Sequence, residues 1–285
     1  MAEVSGRKKR IGIQGVRAAF HDVAARRYFS GEEIELAECA TFHRLCQALA
    51  EGETDFNLMA IENSIAGSIL PNYQLLEQFG LKAVGEVYLR IEMCLMALPG
   101  QTIKDLSVVR SHPMALFQCQ EFLAHHPHIQ VIEANDTAES AKNIAIREEL
   151  GVGAIASRLA ADVYGLSLLA EGIETDRQNY TRFLVVSRGE RLRPGEVMDK
   201  SSLRFEVADR PGSLIDVLSS FAKHGVNMTK LQSVPILGRP YEYSFHVDLE
   251  WEDETRYRLA LGEILATTVG LVEFGLYKKD VRPSA

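Results

Sequence analysis

The sequence predicts an α/β protein in two parts: a two-lobed region with a cleft, then a smaller βαββαβ unit of ferredoxin-like size. Three observations carry this reading. Strand and helix signals alternate over the first two-thirds, a pattern that calls for parallel sheets covered by helices. A long alternating stretch puts Val87, Leu89, Ile91, Met93 and Leu95 on one face and is long enough to cross from one lobe to the other. Past a charged stretch at 188–200 that holds Pro194 and Gly195, the signals become strand, helix, strand, strand, helix, strand.

Taken in order, Ile11-Gly12-Ile13 is a short apolar run followed by a glycine turn, and residues 18–29 continue at helical spacing. Phe42, Leu45, Cys46 and Leu49 recur every three or four residues, with Thr41 placed to cap them. Residues 56–61 read as a strand, and 68–79 as a helix closed by Gly80. Three strand-to-helix units come next. Val108-Val109 leads to a helix near Ser111, and 129–132 to one near Asp136, where Glu139 completes a capping-box pattern. Residues 154–156 lead to a helix that begins at Ser157 and stops at Gly165. The β-rich run 183–186 returns to the first lobe, which leaves a cleft between the two. In the last third, strands at 203–207, 228–234, 241–249 and 272–278 accompany helices at 213–224 and 255–267.

At 285 residues, 46% hydrophobic and 25% charged, the composition is that of a soluble two-domain protein. A net charge of −8 argues against nucleic acid as a partner. The cluster Arg7-Lys8-Lys9-Arg10 reads as a solvated tail before the first strand. No run reaches the roughly 18 apolar residues of a membrane span, and no export signal is evident, so no membrane partner is expected. Cys39, Cys46, Cys94 and Cys119 form no C-x-x-C pair and read as buried free thiols, consistent with a cytoplasmic location.

No metal site and no cofactor are expected. Dinucleotide and P-loop motifs are missing, and His125, His126 and His128 flank Pro127 at a helix end, as a turn would. Cys119 sits at core spacing with nothing nearby to lower its pKa. Chemistry concentrates instead where strands give way to helices, at Asn63-Ser64, Ser111, Asp136-Thr137 and Ser157. Each residue type is also an ordinary helix cap. Yet strand C-terminal ends on one side of a parallel sheet are where ligands bind, and helix N-termini facing one cleft attract carboxylates. The run Asn179-Tyr180-Thr181-Arg182-Phe183 places a hydroxyl and a guanidinium at the entry of a buried strand.

These motifs, in this order, resemble prephenate dehydratases over about residues 10–280. They are Ala60-Ile61-Glu62-Asn63-Ser64 with Gly67; Ser111-His112-Pro113 with Ala115-Leu116 and Gln118-Cys119; Asp136-Thr137-Ala138; Ala154-Ile155-Ala156-Ser157 with Tyr164-Gly165-Leu166; and Thr181-Arg182-Phe183. The resemblance implies a periplasmic-binding-protein-like catalytic region at 10–188, a linker at 189–200 and a regulatory ACT domain at 201–280. It implies loss of water and carbon dioxide from prephenate to give phenylpyruvate, in L-phenylalanine biosynthesis. Thr181 would be the essential hydroxyl, with Asn63, Ser111 and Gln118 contacting substrate or leaving group. Glu62, Ser64, Thr137, Ser157, Arg182 and Phe183 complete the expected substrate-binding set, Glu62 either handling a proton or bracing its loop. L-phenylalanine is the expected inhibitor, bound by Gly212, Ser213, Leu214, Asn227 and Gln232 in a homodimer or homotetramer.

Two departures from the family pattern stand out. The usual opening G-x-x-G-T-F/Y-S is here Gly15-Val16-Arg17-Ala18-Ala19-Phe20-His21, without hydroxyls at 19 and 21. The usual E-S-R-P is Gln232-Ser233-Val234-Pro235, without either charge. Two rival readings remain: an arogenate dehydratase, and a non-catalytic amino-acid sensor, against which the retained Thr181 and Gln118 count. Because aromatisation drives the reaction with no change of redox state, prephenate turnover should survive exhaustive chelation without added nucleotide. A phenylpyruvate assay with and without chelator checks this, and restoration by a divalent ion would contradict it.

Overall fold

The computed structural model describes residues 7–189, 195–236 and 238–283. The chain begins with β1 (Lys9–Gln14), α1 (Phe20–Tyr28), β2 (Ile34–Cys39), α2 (Phe42–Ala50) and β3 (Phe56–Asn63), then β4 (Gly67–Ser68), α3 (Leu70–Gln78) and β5 (Lys82–Arg90). The second lobe holds β6 (Cys94–Ala97), β7 (Val108–Ser111), α4 (Pro113–Gln118), α5 (Gln120–Ala124) and β8 (Gln130–Glu133). It continues with α6 (Thr137–Arg147), β9 (Val152–Ala156), α7 (Arg158–Tyr164) and β10 (Ser167–Glu171), and β11 (Tyr180–Ser187) follows. Last come β12 (Lys200–Val207), α8 (Ser213–Lys223), β13 (Asn227–Pro235), β14 (Tyr243–Glu250), α9 (Glu254–Ile264) and β15 (Thr268–Tyr277).

Three sheets result, with strand orders β2-β1-β3-β11-β5, β10-β6-β9-β7-β8 and β13-β14-β12-β15. This is the expected architecture: two α/β lobes of the periplasmic-binding-protein kind and a ferredoxin-like βαββαβ unit. The last strand of the two-lobed region, β11, lies in the first sheet between β3 and β5.

Several details differ from the expectation. The second sheet is mixed, because β6 runs antiparallel to both β9 and β10. The crossing stretch is two strands broken at residues 91–93, and β5 is buried on both faces rather than one. The edge strands β2 and β10 escaped the pattern because neither has a consistently buried face. Lys9 and Arg10 belong to β1, where the Arg10 backbone N–H donates to Asp55. Pro194 lies outside the described residues. The C-terminal end of the expected linker is not solvated chain: Asp199 is buried, and Lys200 opens β12 fully buried.

The chain packs as two compact units, each drawing on segments distant in sequence. Leu76–Glu86, from the end of α3 and the start of β5, belongs with Val186–Asp280. Charged contacts hold that segment. Lys200 Nζ reaches Glu86 at 2.9 Å and Glu250 at 3.3 Å with no solvent access, and Arg204 grips Glu77 in a two-pronged pair at 3.0 and 3.1 Å. The unit's apolar core includes Leu203, Phe205, Val217, Phe221 and Leu249, with Trp251 stacked on Tyr257 at 3.8 Å.

In the first lobe, α2 shows how tightly helix and sheet mesh. Thr41 caps it by accepting from the Arg44 N–H, and Leu45, Cys46, Ala48 and Leu49 are buried. Under it lies Asn57, buried, donating to the Leu45 carbonyl at 2.6 Å and accepting from Thr54 at 2.8 Å. Gly12 of β1 makes room for that amide, since a Cβ there would lie 2.1 Å from Asn57 Oδ1. Gly12→Ala should therefore displace a buried, doubly bonded amide and cost about 3 kcal/mol or more. Urea denaturation checks this, and a midpoint equal to wild type would refute it.

Candidate active site

A cavity of about 320 Å3 opens where the two α/β lobes meet within the first unit. Three chain segments supply its polar floor: the end of β3, the start of β11 and the end of α4. Alternation along β11 sets the facing. Thr181 and Phe183 line the cavity, while Arg182 between them points to the other side of the sheet. There Arg182 is 2% exposed, 3.7 Å from the Glu62 carboxylate and 5.9 Å from the Tyr88 ring. Neither Arg182 nor Glu62, both expected to bind substrate, is among the residues that line the cavity.

Asn63 fixes the orientation of the key hydroxyl. Its Oδ1 accepts from the backbone N–H groups of Ile65 and Ala66 at 3.0 and 2.9 Å, so its amide nitrogen must donate. That nitrogen donates to Thr181 Oγ1 at 3.0 Å and to Asn179 Oδ1 at 2.8 Å. With a lone pair on Oγ1 so engaged, Thr181 keeps its own hydrogen to give. Asn179, fully buried, donates onward to Gln118 Oε1 at 2.9 Å, and Gln118 in turn lines the cavity with its amide hydrogens to offer. Asn179 is the residue missed from sequence. It heads the run that contains Thr181, and an amide at the entry of a buried strand was the available signal.

Thr137, the first residue of α6, lines the cavity as expected, below Asp136, which caps that helix by accepting from the Glu139 N–H at 2.8 Å. Burial raises the Asp136 carboxyl above the ordinary carboxylate range. The other hydroxyls brace backbone and do not line the cavity. Ser111 is fully buried and donates to the Ile155 carbonyl at 2.5 Å, tying β7 to β9. Its place on the cavity is taken by His112, Met114 and Ala115. Ser157 donates to the Ala18 carbonyl at 2.7 Å. Ser64 donates to the Gln178 carbonyl and accepts from the Tyr180 N–H, pinning the two loops together.

The α1 end supplies a wall that the sequence left blank. Ala19, Phe20 and His21 all line the cavity; Ala19 makes no side-chain cap bond, its carbonyl takes the Asp22 and Val23 N–H groups, and the Asp22 carboxylate accepts from the Ala18 N–H. The His21 ring packs edge-on against Phe183 at 4.9 Å and against Phe42 at 5.6 Å. Among the described residues that line the cavity there is no lysine or arginine. The thiols take no part. All four are buried, and burial pushes Cys119 up to about 12.

In the second unit, Gly212, Ser213 and Leu214 line a cavity of about 210 Å3 beside Tyr241 and Tyr243. Asn227 lines a different cavity, of about 570 Å3, with Arg256 and Lys279. Gln232 sits in mid-strand opposite His246 and lines neither. The two halves of the expected effector face are thus not brought together within one chain.

Two α/β lobes around a cavity with an aligned hydroxyl and amide donors define a small-molecule site. The chain belongs to the prephenate dehydratase family, whose model matches residues 11–191. It is 35% identical over 289 residues to arogenate dehydratase/prephenate dehydratase 1, chloroplastic, of Arabidopsis thaliana, covering 96% of this chain and 73% of that protein. A solved structure described as a novel type of quorum-quenching acylase superposes with a TM-score of 0.84 at 31% identity, covering 95% of this chain and 98% of that one. The prephenate dehydratase of Arthrobacter aurescens in complex with L-Phe superposes with a TM-score of 0.83 at 26% identity, covering 97% and 92%.

Thr181→Val is near-isosteric and removes only the hydroxyl, so it should lower kcat by about 10²–10³ with an unchanged thermal midpoint, while Thr181→Ser keeps a measurable share. Asn179→Ala should lower both activity and stability, because it strands the amides of Asn63 and Gln118 at about 1–3 kcal/mol. Steady-state kinetics beside thermal denaturation separate the two behaviours. Normal kcat in a stable valine variant would make Thr181 a mere strand-entry residue.

Proposed function

We propose that the protein converts prephenate to phenylpyruvate, water and carbon dioxide on the route to L-phenylalanine. The observation that carries this reading is the hydroxyl of Thr181, turned by Asn63 into a donor on the polar floor of a cavity otherwise lined largely by apolar side chains. Prephenate must lose a ring hydroxyl as its ring carboxylate leaves. The pair of electrons in the breaking carbon–carboxyl bond enters the ring, and the ring carbon–oxygen bond breaks toward oxygen. Thr181 hydrogen-bonds the departing oxygen, which ends as water with a solvent proton, since a threonine hydroxyl is too weak an acid to protonate it unaided. Gln118 offers its amide hydrogens beside it.

The absence of cationic side chains among the lining residues supports the same reading. An arginine on the ring carboxylate would hold its charge in place and oppose its loss, whereas an apolar wall with Phe183 favours dispersal of that charge into the ring. Nothing in the step changes oxidation state, so no cofactor is required. The acylase likeness suggests a second chemistry, but amide hydrolysis by Thr181 would need a base to take its proton, and its partner here is an amide donor.

We read the βαββαβ unit as an ACT domain that binds L-phenylalanine and inhibits the cavity from a distance, in a cytoplasmic homodimer or homotetramer. The loop cavity at Gly212-Ser213-Leu214 supports this, and the separation of Asn227 from it within one chain fits a site completed by a second copy. The decisive experiment incubates purified protein with prephenate and, in parallel, arogenate, following phenylpyruvate and phenylalanine. Faster turnover of prephenate is expected, with inhibition by millimolar L-phenylalanine. A stronger response to arogenate would reassign the substrate, and turnover of neither would refute the reading. Calorimetry with L-phenylalanine separates loss of binding from loss of inhibition, because an effector shifts the enzyme only by its differential affinity for the two states.

A further inference from the structure

We propose that His21 is a substrate-binding residue: its imidazole donates a hydrogen bond to the carboxylate of the substrate's keto-acid side chain, at the end of the ring opposite the departing hydroxyl. This rests on the reading of the cavity as a prephenate site and names the residue that holds the far end of that substrate.

Four observations lead there. His21 lines the cavity, is 8% exposed, and has a buried Nε2 with no hydrogen-bond partner. A buried polar atom left unpaired is costly, and a bound ligand can remove the cost. The ring stands edge-on to Phe183, two residues along the same strand face from Thr181. Two residues of strand span about 6.7 Å, close to the distance across a six-membered ring between opposite substituents. A substrate with its hydroxyl at Thr181 therefore brings its other end to His21. The N-terminus of α1, where Ala19 makes no side-chain cap bond, opens at the same place, the Asp22 carboxylate of its first turn being engaged by the Ala18 N–H and by Arg26.

The chemistry selects which carboxylate. Burial pulls the imidazole down to about 3, so it is neutral and acts through one N–H rather than through charge. A donor on the ring carboxylate would stabilise the group that has to leave. The side-chain carboxylate persists from substrate to product, so a bond to it is made equally in ground and transition states. Losing such a contact raises KM and leaves kcat largely alone.

The test begins by confirming that the wild-type protein turns over prephenate. His21→Phe keeps the ring packing against Phe42 and Phe183 and removes the donor, and His21→Asn restores an N–H. The expectation is a thermal midpoint for His21→Phe at or above wild type, a KM raised about 10- to 100-fold, a kcat within a few-fold, and partial recovery of KM in His21→Asn. A stable His21→Phe with wild-type KM overturns the inference and leaves the function intact. A wild-type protein inert toward prephenate overturns the function, and this inference with it. If His21→Phe does not fold, the wild-type protein labelled with 15N-histidine decides. On addition of phenylpyruvate, which keeps the side-chain carboxylate, the ring-nitrogen signal absent from His21→Asn should shift. An unmoved signal at saturating phenylpyruvate overturns the proposal.

Discussion

Asn179 is the residue on which the site hangs. A buried primary amide must use both of its ends, and Asn179 uses them in opposite directions, accepting from Asn63 at the end of β3 and donating to Gln118 at the end of α4. One side chain therefore sets the rotamer of two cavity residues and, through Asn63, the direction in which Thr181 offers its hydrogen. In a low-dielectric interior such a chain of bonds is strong when complete and costly when broken. The order is self-consistent only one way round, since the two backbone N–H groups on Asn63 Oδ1 leave its nitrogen no other role. The Thr181 hydroxyl is oriented by amides, which carry no net charge.

That economy of charge extends through the cavity. The guanidinium that follows Thr181 in sequence is turned to the far face of the sheet by strand alternation and set against Glu62. The one carboxylate on the wall, Asp136, spends an oxygen capping α6. In the second unit, Lys200 lies between Glu86 and Glu250 and Arg204 holds Glu77. A buried pair such as Lys200–Glu86 adds little net stability but penalises any arrangement that separates it, so it specifies where Leu76–Glu86 must pack.

Much of this was legible in the sequence, and the exceptions have physical causes. Helices with a clear apolar stripe and a cap, such as α2 with Thr41 and α8 from Ser213, fall where periodicity puts them. The edge strands β2 and β10 did not show, because an edge strand need not bury a full face. The packing of Leu76–Glu86 with the last third was not legible, because contacts between distant segments, Glu86 with Lys200 for one, leave no local pattern. At the site, Thr181, Asn63, Gln118 and Thr137 line the cavity as their motifs implied. Ser111, Ser157 and Ser64 share those motifs yet spend their hydroxyls on carbonyls, a distinction that depends on rotamer and neighbour rather than residue type. Asn179 and His21 were visible as letters without roles, since each acquires one only from residues far off in the chain.

The two passages between the α/β sheets, at 91–93 and between β10 and β11, run side by side and are stitched together. The Ile91 N–H bonds the Asn179 carbonyl at 2.8 Å, the Met93 N–H bonds Glu174 at 2.9 Å, and the Ile173 N–H bonds the Met93 carbonyl at 3.1 Å. The lacing fixes the backbone of Asn179 where the two passages cross, so the row that aligns the Thr181 hydroxyl is held from both sheets at once.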